Sequence, residues 1–209
     1  MDRRSILEQR AEEAITFGLE SPTIEFKESQ PFDVLKYKLA RTAQGMANNR
    51  DGGLIIIGVT ERGDGSQEAG VDDLVAQTYD YDMVYEFING YATPAIEFQL
   101  LPVVVARAKY LVIQVPPLGR TPTICRKSTP SSVTRPGERM AEGNIFVRTR
   151  ERIGTSPVTN AAMIEELLHA AASRRAAELL ELLSGARPAS PPTDIPRYDQ
   201  EVKDLVDYF

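Results

Sequence analysis

Two acidic residues and a lysine lie within one short stretch near the N-terminus. Glu20 precedes an alternating segment in which Glu25 and Lys27 are two residues apart, so they share one face of a strand. Neighbouring carboxylates can hold a divalent ion such as Mg²⁺ or Mn²⁺, which can activate water for attack on a phosphate. Lys27 would offset the charge that develops there. The alternative is an ordinary surface strand that carries a Glu–Lys pair.

Basic residues are concentrated in one part of the chain. The net charge is −6, yet residues 103–152 hold 10 Lys and Arg against 3 Asp and Glu, a local balance of +7. Because a phosphate backbone responds to local charge, this segment is a candidate nucleic-acid surface; the alternative is a solvated sheet edge. The candidate phosphate contacts are Arg107, Lys109, Arg126, Lys127, Arg148, Arg150 and Arg152. Tyr110 and Phe146 would either stack on bases or belong to the core.

Several kinds of site are excluded by composition. Cys125 and His169 are the single cysteine and histidine, so a zinc site of these residues is excluded, and a reducing, cytoplasmic location is expected. There is no Gly-x-x-x-x-Gly-Lys-Ser/Thr run, so we expect no nucleotide cofactor and no ATPase activity. There is also no apolar run of about 20 residues, so no association with a membrane is expected.

The elements that would position these residues follow from hydrophobic spacing and turn residues. Helices are predicted over 5–17, 33–46, 80–89 and 160–183, and strands over 23–27, 54–59, 96–106, 110–115, 121–127 and 144–150. Gly52-Gly53 makes a turn that either faces a phosphate or only forms a tight corner. The predicted divisions are an N-terminal helix over 1–17, a domain over 18–170, the continuing last helix over 171–183, a proline-rich linker over 184–197 and an amphipathic tail helix over 198–209.

The order of these motifs resembles the Schlafen AlbA_2 domain family, once described as a divergent AAA ATPase domain. The matching positions are Glu20, Glu25-Phe26-Lys27, Met46-Ala47-Asn48, Gly52-Gly53, Ile57-Gly58-Val59 and Phe146-Val147-Arg148. The resemblance spans residues 18–170. It implies a single compact α+β domain, with a mixed or antiparallel sheet packed by helices, and it implies binding of RNA or DNA.

The resemblance also implies a possible reaction. Some Schlafens cleave structured RNA such as transfer RNA with a metal-binding carboxylate triad, and two members of that triad match Glu20 and Glu25. The third falls at Thr60-Glu61, so Glu61 is the expected third ligand for Mg²⁺ or Mn²⁺, with Asp64 as the alternative. The catalytic set would then be Glu20, Glu25, Glu61 and Lys27. Animal Schlafens have two such lobes, so a homodimer is expected for this single lobe.

Three functions remain open from the sequence. The first is a nucleic-acid-binding module that recognises backbone and shape. The second is a metal-dependent endoribonuclease that uses the carboxylate triad. The third is a docking subunit that binds a protein partner through residues 198–209, where Val202, Leu205, Val206 and Phe209 share one side of the predicted tail helix.

Overall fold

The computed structural model describes residues 3–61, 67–149 and 153–185. Its helices are α1 (Arg3–Phe17), α2 (Phe32–Ala47), α3 (Asp73–Gln77), α4 (Tyr81–Asn89) and α5 (Ala161–Gly185). Its strands are β1 (Ile24–Lys27), β2 (Gly53–Ile57), β3 (Val59–Glu61), β4 (Gln67–Ala69), β5 (Ala92–Thr93), β6 (Gln99–Val105), β7 (Ala108–Val115), β8 (Ile124–Cys125), β9 (Phe146–Thr149) and β10 (Gly154–Pro157).

A mixed sheet of four strands forms the centre, in the order β1-β2-β7-β6. The strand β1 pairs with β2 in parallel, and the β2-β7 and β7-β6 pairs are antiparallel. Two-stranded antiparallel pairs, β3-β4, β5-β8 and β9-β10, are built around this sheet. The predicted α+β class with a mixed sheet is therefore confirmed.

Both faces of the sheet are covered, because β2 is buried along its whole length. Leu7 and Ala11 of α1 pack on the face that carries Leu54 and Ile56 of β2. The opposite face carries Ile55 and Ile57, and it packs against α2 and α4 through a second cluster that includes Leu39. A central strand that is apolar on both sides thus requires a helix on each side.

The structure changes two details of the predicted elements. The strand predicted over 54–59 divides at Gly58, whose φ of +112° favours glycine, and the chain continues as the separate strand β3. The strand predicted over 121–127 is shorter, because only Ile124 and Cys125 pair with β5. The residues on either side of this short strand make other hydrogen bonds: the N–H of Thr123 donates to the side chain of Asn48, and the N–H of Arg126 donates to the carbonyl of Tyr91. Such contacts leave no periodic pattern in the sequence.

Residue contacts divide the chain into two units, residues 1–174 and residues 175–209, and all sites described below belong to the first. Of the second unit, residues 175–185 are described as the last part of α5. The rest of the predicted linker and the tail helix over 198–209 lie outside the described residues. No helix in the described part of the chain has both the length and the apolar character needed to cross a bilayer.

Candidate nucleic-acid interface

The carboxylate of Glu25 lies between two cations. Its Oε1 contacts Nζ of Lys27 on the same face of β1, and its Oε2 accepts a hydrogen bond of 2.6 Å from Nη1 of Arg148 in β9. The Arg148 side chain is 0 % exposed. Its guanidinium also donates to the carbonyl oxygens of Ser21 and Pro22 and to Oγ1 of Thr155.

Burial alone would raise the pKa of Glu25, but its partners outweigh burial. The positive charges of Lys27 and Arg148, together with their hydrogen bonds, hold the pKa of this carboxyl below its ordinary value of 4.5. Glu25 is therefore ionised at neutral pH and forms a buried ion-pair network with these two residues. The network joins the edge strand β1 to the β9-β10 pair.

The other predicted triad members have different surroundings. Glu20 is exposed, and its Oε1 accepts a hydrogen bond of 2.9 Å from the backbone N–H of Phe26, at the free edge of β1. Glu61 ends β3, where it pairs with Gln67, but its side chain and all of Asp64 lie outside what is described. Among the described residues, no three His, Cys, Asp or Glu side chains are grouped so that they could hold a metal ion.

These contacts bear on the predicted metal site. A divalent ion needs carboxylate oxygens that carry uncompensated negative charge, and both oxygens of Glu25 already face a cationic side chain. A metal bound there would be repelled by Lys27 and Arg148. The described residues therefore do not fit a divalent ion in this arrangement, and the triad of Glu20, Glu25 and Glu61 stays a prediction.

The basic residues predicted to contact phosphate lie in different places. Arg107 and Lys109 are exposed at the β6-β7 hairpin, where Ala106 and Arg107 have positive φ values of 48° and 74°. They line a cleft of about 920 Å³ with Glu28, Asp72 and Asp73, and Lys109 makes an ion pair of 2.5 Å with Asp73. The cleft is thus of mixed charge.

A second group of basic residues lies beside α4. Arg126 and Lys127 are both exposed just after β8, and the backbone N–H of Arg126 donates to the carbonyl of Tyr91. The Nζ atom of Lys127 lies 4.5 Å from the centre of the Tyr91 ring. Neither residue lines the cleft of Arg107 and Lys109. Arg150 and Arg152 lie outside the described residues.

Three residues of the predicted surface are buried. Arg148 faces Glu25 instead of solvent, so in this structure it is not available to a phosphate. Tyr110 and Phe146 are 3 % and 1 % exposed, and each belongs to a core cluster. Of the two roles left open for these rings, the structure shows the core role, and the guanidinium of Arg41 lies 5.2 Å from the centre of the Phe146 ring.

Asn48 has a structural role that the sequence did not predict. It is buried at the end of α2, where its Nδ2 donates to the carbonyl oxygens of Thr123 and Phe146 and its Oδ1 accepts from the N–H of Thr123. This one amide ties the end of a helix to the segments that lead into β8 and β9. Its place in the family pattern was the only signal in the sequence.

The corner at Gly52-Gly53 is tight. A Cβ atom on Gly52 would lie 2.4 Å from the carbonyl oxygen of Val115, and its φ is +65°. A Cβ atom on Gly53 would lie 2.9 Å from the carbonyl oxygen of Thr23. The N–H of Gly52 donates to the carbonyl of Asn49, although with a long distance of 3.3 Å. The contacts account for both glycines as parts of a tight corner.

A second cleft, of about 520 Å³, opens beside this corner. One side is the turn with Asn49, Arg50 and Asp51, and the other sides are β9 and the first part of α5, including His169. Arg50 and His169 were absent from the predicted site. Arg50 lies in the polar turn before the double glycine, and this position was the only signal in the sequence that it could line a cleft.

Comparison with known proteins gives the relationships of the chain. A protein from Corynebacterium diphtheriae, DIP2311, is 20 % identical with a TM-score of 0.45, over 69 % of this chain and 26 % of its own, so the chain matches about a quarter of that protein. The N-terminal domain of a RecG-related protein from Nitrosomonas europaea is 19 % identical with a TM-score of 0.39, over 77 % of this chain and 95 % of its own. Functionally curated proteins gave no match.

These two likenesses are too distant to carry an argument about activity. The family model described as "Schlafen, AlbA_2" is a stronger finding, since it matches residues 20–154. The match includes the Glu25–Lys27 pair, the glycine corner and Arg148, and it covers more than half of the chain. The chain therefore belongs to the Schlafen AlbA_2 family.

Proposed function

We propose that this protein binds nucleic acid through the sugar–phosphate backbone. The observation that carries the proposal is that four predicted phosphate contacts stay exposed in a segment whose local charge is +7, although the chain as a whole carries −6. The four residues are Arg107, Lys109, Arg126 and Lys127. Membership of the Schlafen AlbA_2 family supports the same proposal.

The partners of these basic residues leave them available to a phosphate. Lys109 is paired with Asp73, but both side chains are exposed, and an exposed ion pair of this kind contributes little free energy. Lys127 lies over the ring of Tyr91, which leaves its other hydrogens open to an anion. Such contacts are released easily when a phosphate competes for the cation.

Binding without cleavage is the function that the geometry favours. A metal-dependent endoribonuclease would need the carboxylate of Glu25 as a ligand, and the charge of that carboxylate is already balanced by Lys27 and Arg148. No described contact favours a cleavage step over a binding step. Mg²⁺ or Mn²⁺ would then affect binding only as a competing counterion.

Two further features belong to the proposal. We expect the protein to act in the cytoplasm, because its single cysteine, Cys125, is free and buried. We also expect a homodimer, since a two-fold pair would present two basic surfaces to one nucleic acid.

The test is the salt dependence of binding. Fluorescence anisotropy is measured with labelled transfer RNA, single-stranded RNA and duplex DNA, from about 50 to about 200 mM salt, once with Mg²⁺ and once with EDTA. We expect binding that weakens steeply with salt and intact nucleic acid on a gel in both conditions. The double variant Arg126→Gln, Lys127→Gln should reduce the slope of log affinity against log salt by about two.

The matched control is Arg10→Gln, which removes an exposed cation from α1, outside the basic segment. Its slope should stay that of the unmodified protein. If no nucleic acid binds at about 50 mM salt, the proposal is wrong. Cleavage that requires the metal and disappears in Glu25→Gln would replace it with the endoribonuclease.

A further inference from the structure

The cleft beside the corner turn has apolar residues in its lining that come from separate parts of the chain. Met163, Leu167 and Ala170 belong to α5, Val147 belongs to β9, and Pro22 precedes β1. Leu167 is anchored in a small core cluster, against which Ala170 and Val147 also pack. The walls are therefore held in place by the fold. Apolar side chains that line a cleft suit the face of a flat ring.

The rim of the same cleft is polar and exposed. Arg50, His169 and Ser173 can donate hydrogen bonds, and Asp51 and Glu166 can accept them. A site for a bare phosphate would not place two carboxylates at its mouth, because they would repel the anion. A ligand that presents both donors and acceptors on its edge, and an apolar face, matches these walls and this rim.

An unpaired nucleobase has these properties. Its two faces stack on apolar or aromatic side chains, and its edge carries donors and acceptors side by side. The volume of about 520 Å³ lies within the usual range of about 300–1,000 Å³ for sites that enclose small ligands. Val147 and Thr149, which line the cleft, belong to the basic segment 103–152, so a base in the cleft would be close to that segment in the chain.

We propose that this cleft binds one unpaired base of the nucleic acid, so that the protein selects single-stranded or bulged segments over regular duplex. In a duplex each base is stacked on both faces and paired along its edge, and it cannot enter the cleft without leaving the helix. The inference rests on the proposed function, because backbone contacts must first bring the strand to the cleft. It adds a base contact, which does not depend on salt in the way that phosphate contacts do.

The first experiment uses the unmodified full chain. Anisotropy is measured with three labelled probes of the same length: a single-stranded oligonucleotide, a fully abasic strand that keeps every phosphate, and a complete duplex. We expect the single strand to bind about tenfold more tightly than the abasic strand, since one stacked base contributes about that factor. The salt slope should be similar for these two probes. The duplex should also bind more weakly than the single strand.

Two tryptophan substitutions test where the base binds. Ala162→Trp puts an indole into the cleft from the first turn of α5, and Ala95→Trp puts the same ring on an exposed residue between β5 and β6 that does not line the cleft. We expect Ala162→Trp to lower single-strand affinity to that of the abasic strand and Ala95→Trp to leave it unchanged. Met163→Ala, which removes an apolar wall without adding bulk, should give a smaller loss in the same direction.

The outcomes separate the two proposals. Equal affinity for the single and abasic strands would overturn the base site and leave backbone binding intact. Equal effects of Ala95→Trp and Ala162→Trp would also overturn this site. If none of the three probes binds, the proposed function fails, and the base site fails with it. Circular dichroism of each variant shows whether the fold is retained, and the comparison of probes with the unmodified chain does not depend on any variant.

Discussion

At the scale of single residues, Glu25 and Arg148 have the most distinct surroundings. Arg148 is fully buried and donates to one carboxylate, two backbone carbonyls and one hydroxyl. Removing one member of a buried ion pair leaves the other charge without compensation, which is costly, whereas the intact pair contributes little net stability. We therefore expect a substitution of Glu25 to change the free energy of unfolding, whether or not it changes any activity.

We expect Glu25→Gln to lower the free energy of unfolding by about 2–4 kcal/mol, because the neutral amide leaves Arg148 buried without a negative partner. Urea unfolding at about pH 7 measures the loss. The control is Glu20→Gln, at an exposed carboxylate whose one described contact an amide oxygen can replace, and it should change stability by less than about 0.5 kcal/mol. Equal stability of the two variants would contradict the structural role of Glu25.

The same pair predicts a pH dependence. The folded pKa of Glu25 lies below its ordinary value of 4.5, so the ion pair stabilises the protein fully above that value and its contribution is lost as the pH falls through the folded pKa. The difference in stability between the unmodified protein and Glu25→Gln should therefore shrink below about pH 4.5. Urea midpoints at about pH 7, 4.5 and 3.5 measure it, and a constant difference would contradict the prediction.

The sequence predicted part of this arrangement. Alternation along β1 correctly placed Glu25 and Lys27 on one face, because side chains in a strand alternate with a period of two. It did not predict that Arg148, which is 123 residues further along, would be the buried partner. A charged residue in a basic segment is normally solvated, and no local pattern indicates which one the fold encloses.

At the scale of elements, the corner between α2 and β2 is the point where the sequence was most informative. A helix, two glycines and an aliphatic strand predicted a helix packed on a central strand, and α2 and β2 have these positions. The sequence left the reason for the glycines open between a phosphate contact and a tight corner. A Cβ atom on Gly52 would collide with the carbonyl oxygen of Val115 at the end of β7, which favours the tight corner. This contact depends on the fold and cannot be predicted from the sequence.

We expect Gly52→Ala to lower the free energy of unfolding by about 2–4 kcal/mol, because its Cβ would collide with the carbonyl of Val115 and its φ of +65° is strained for alanine. Thermal or urea unfolding measures the change. The control is Gly119→Ala, where a Cβ atom would have no neighbour within 4 Å, and it should have little effect or be slightly stabilising. Similar stability of the two variants would show that the corner can relax.

Other elements could not be predicted, for identifiable reasons. The division of the strand at Gly58 depends on hydrogen bonds from its N–H to Lys27 and from the N–H of Gly70 to its carbonyl. Helix α3 has only five residues, none of them buried, so it has no apolar stripe that a periodic pattern could reveal.

At the scale of the whole molecule, α5 presents a large apolar face to solvent. Ile164 and Leu168 are 49 % and 61 % exposed, and with Ala161 and Ala172 they line a shallow groove of about 570 Å³ whose other residues are Glu165 and His169. A two-fold pair would bury an exposed apolar groove of this kind, so the first part of α5 is the surface on which we expect the homodimer to form.

We expect Leu168→Glu to convert that dimer to a monomer, because a charge would be buried between two helices without a partner. Sedimentation velocity over a range of protein concentrations measures the change in mass. The control is Leu168→Met, which keeps an apolar side chain of similar volume and should stay dimeric. An unmodified protein that is monomeric at every concentration would contradict the homodimer.

The contact between β9 and the segment before β1 also affects how the chain folds during synthesis. The guanidinium of Arg148 donates to the carbonyl oxygen of Ser21, which lies 127 residues earlier in the chain. This contact can form only after almost the whole domain has been synthesised. At roughly 5–20 residues per second, that is roughly 6–25 s after the synthesis of β1. During that time the cation nearest to Glu25 in the chain is Lys27. Charged side chains of this kind discourage an edge strand from pairing with another chain, so we expect Glu25 and Lys27 to have this effect before Arg148 is available.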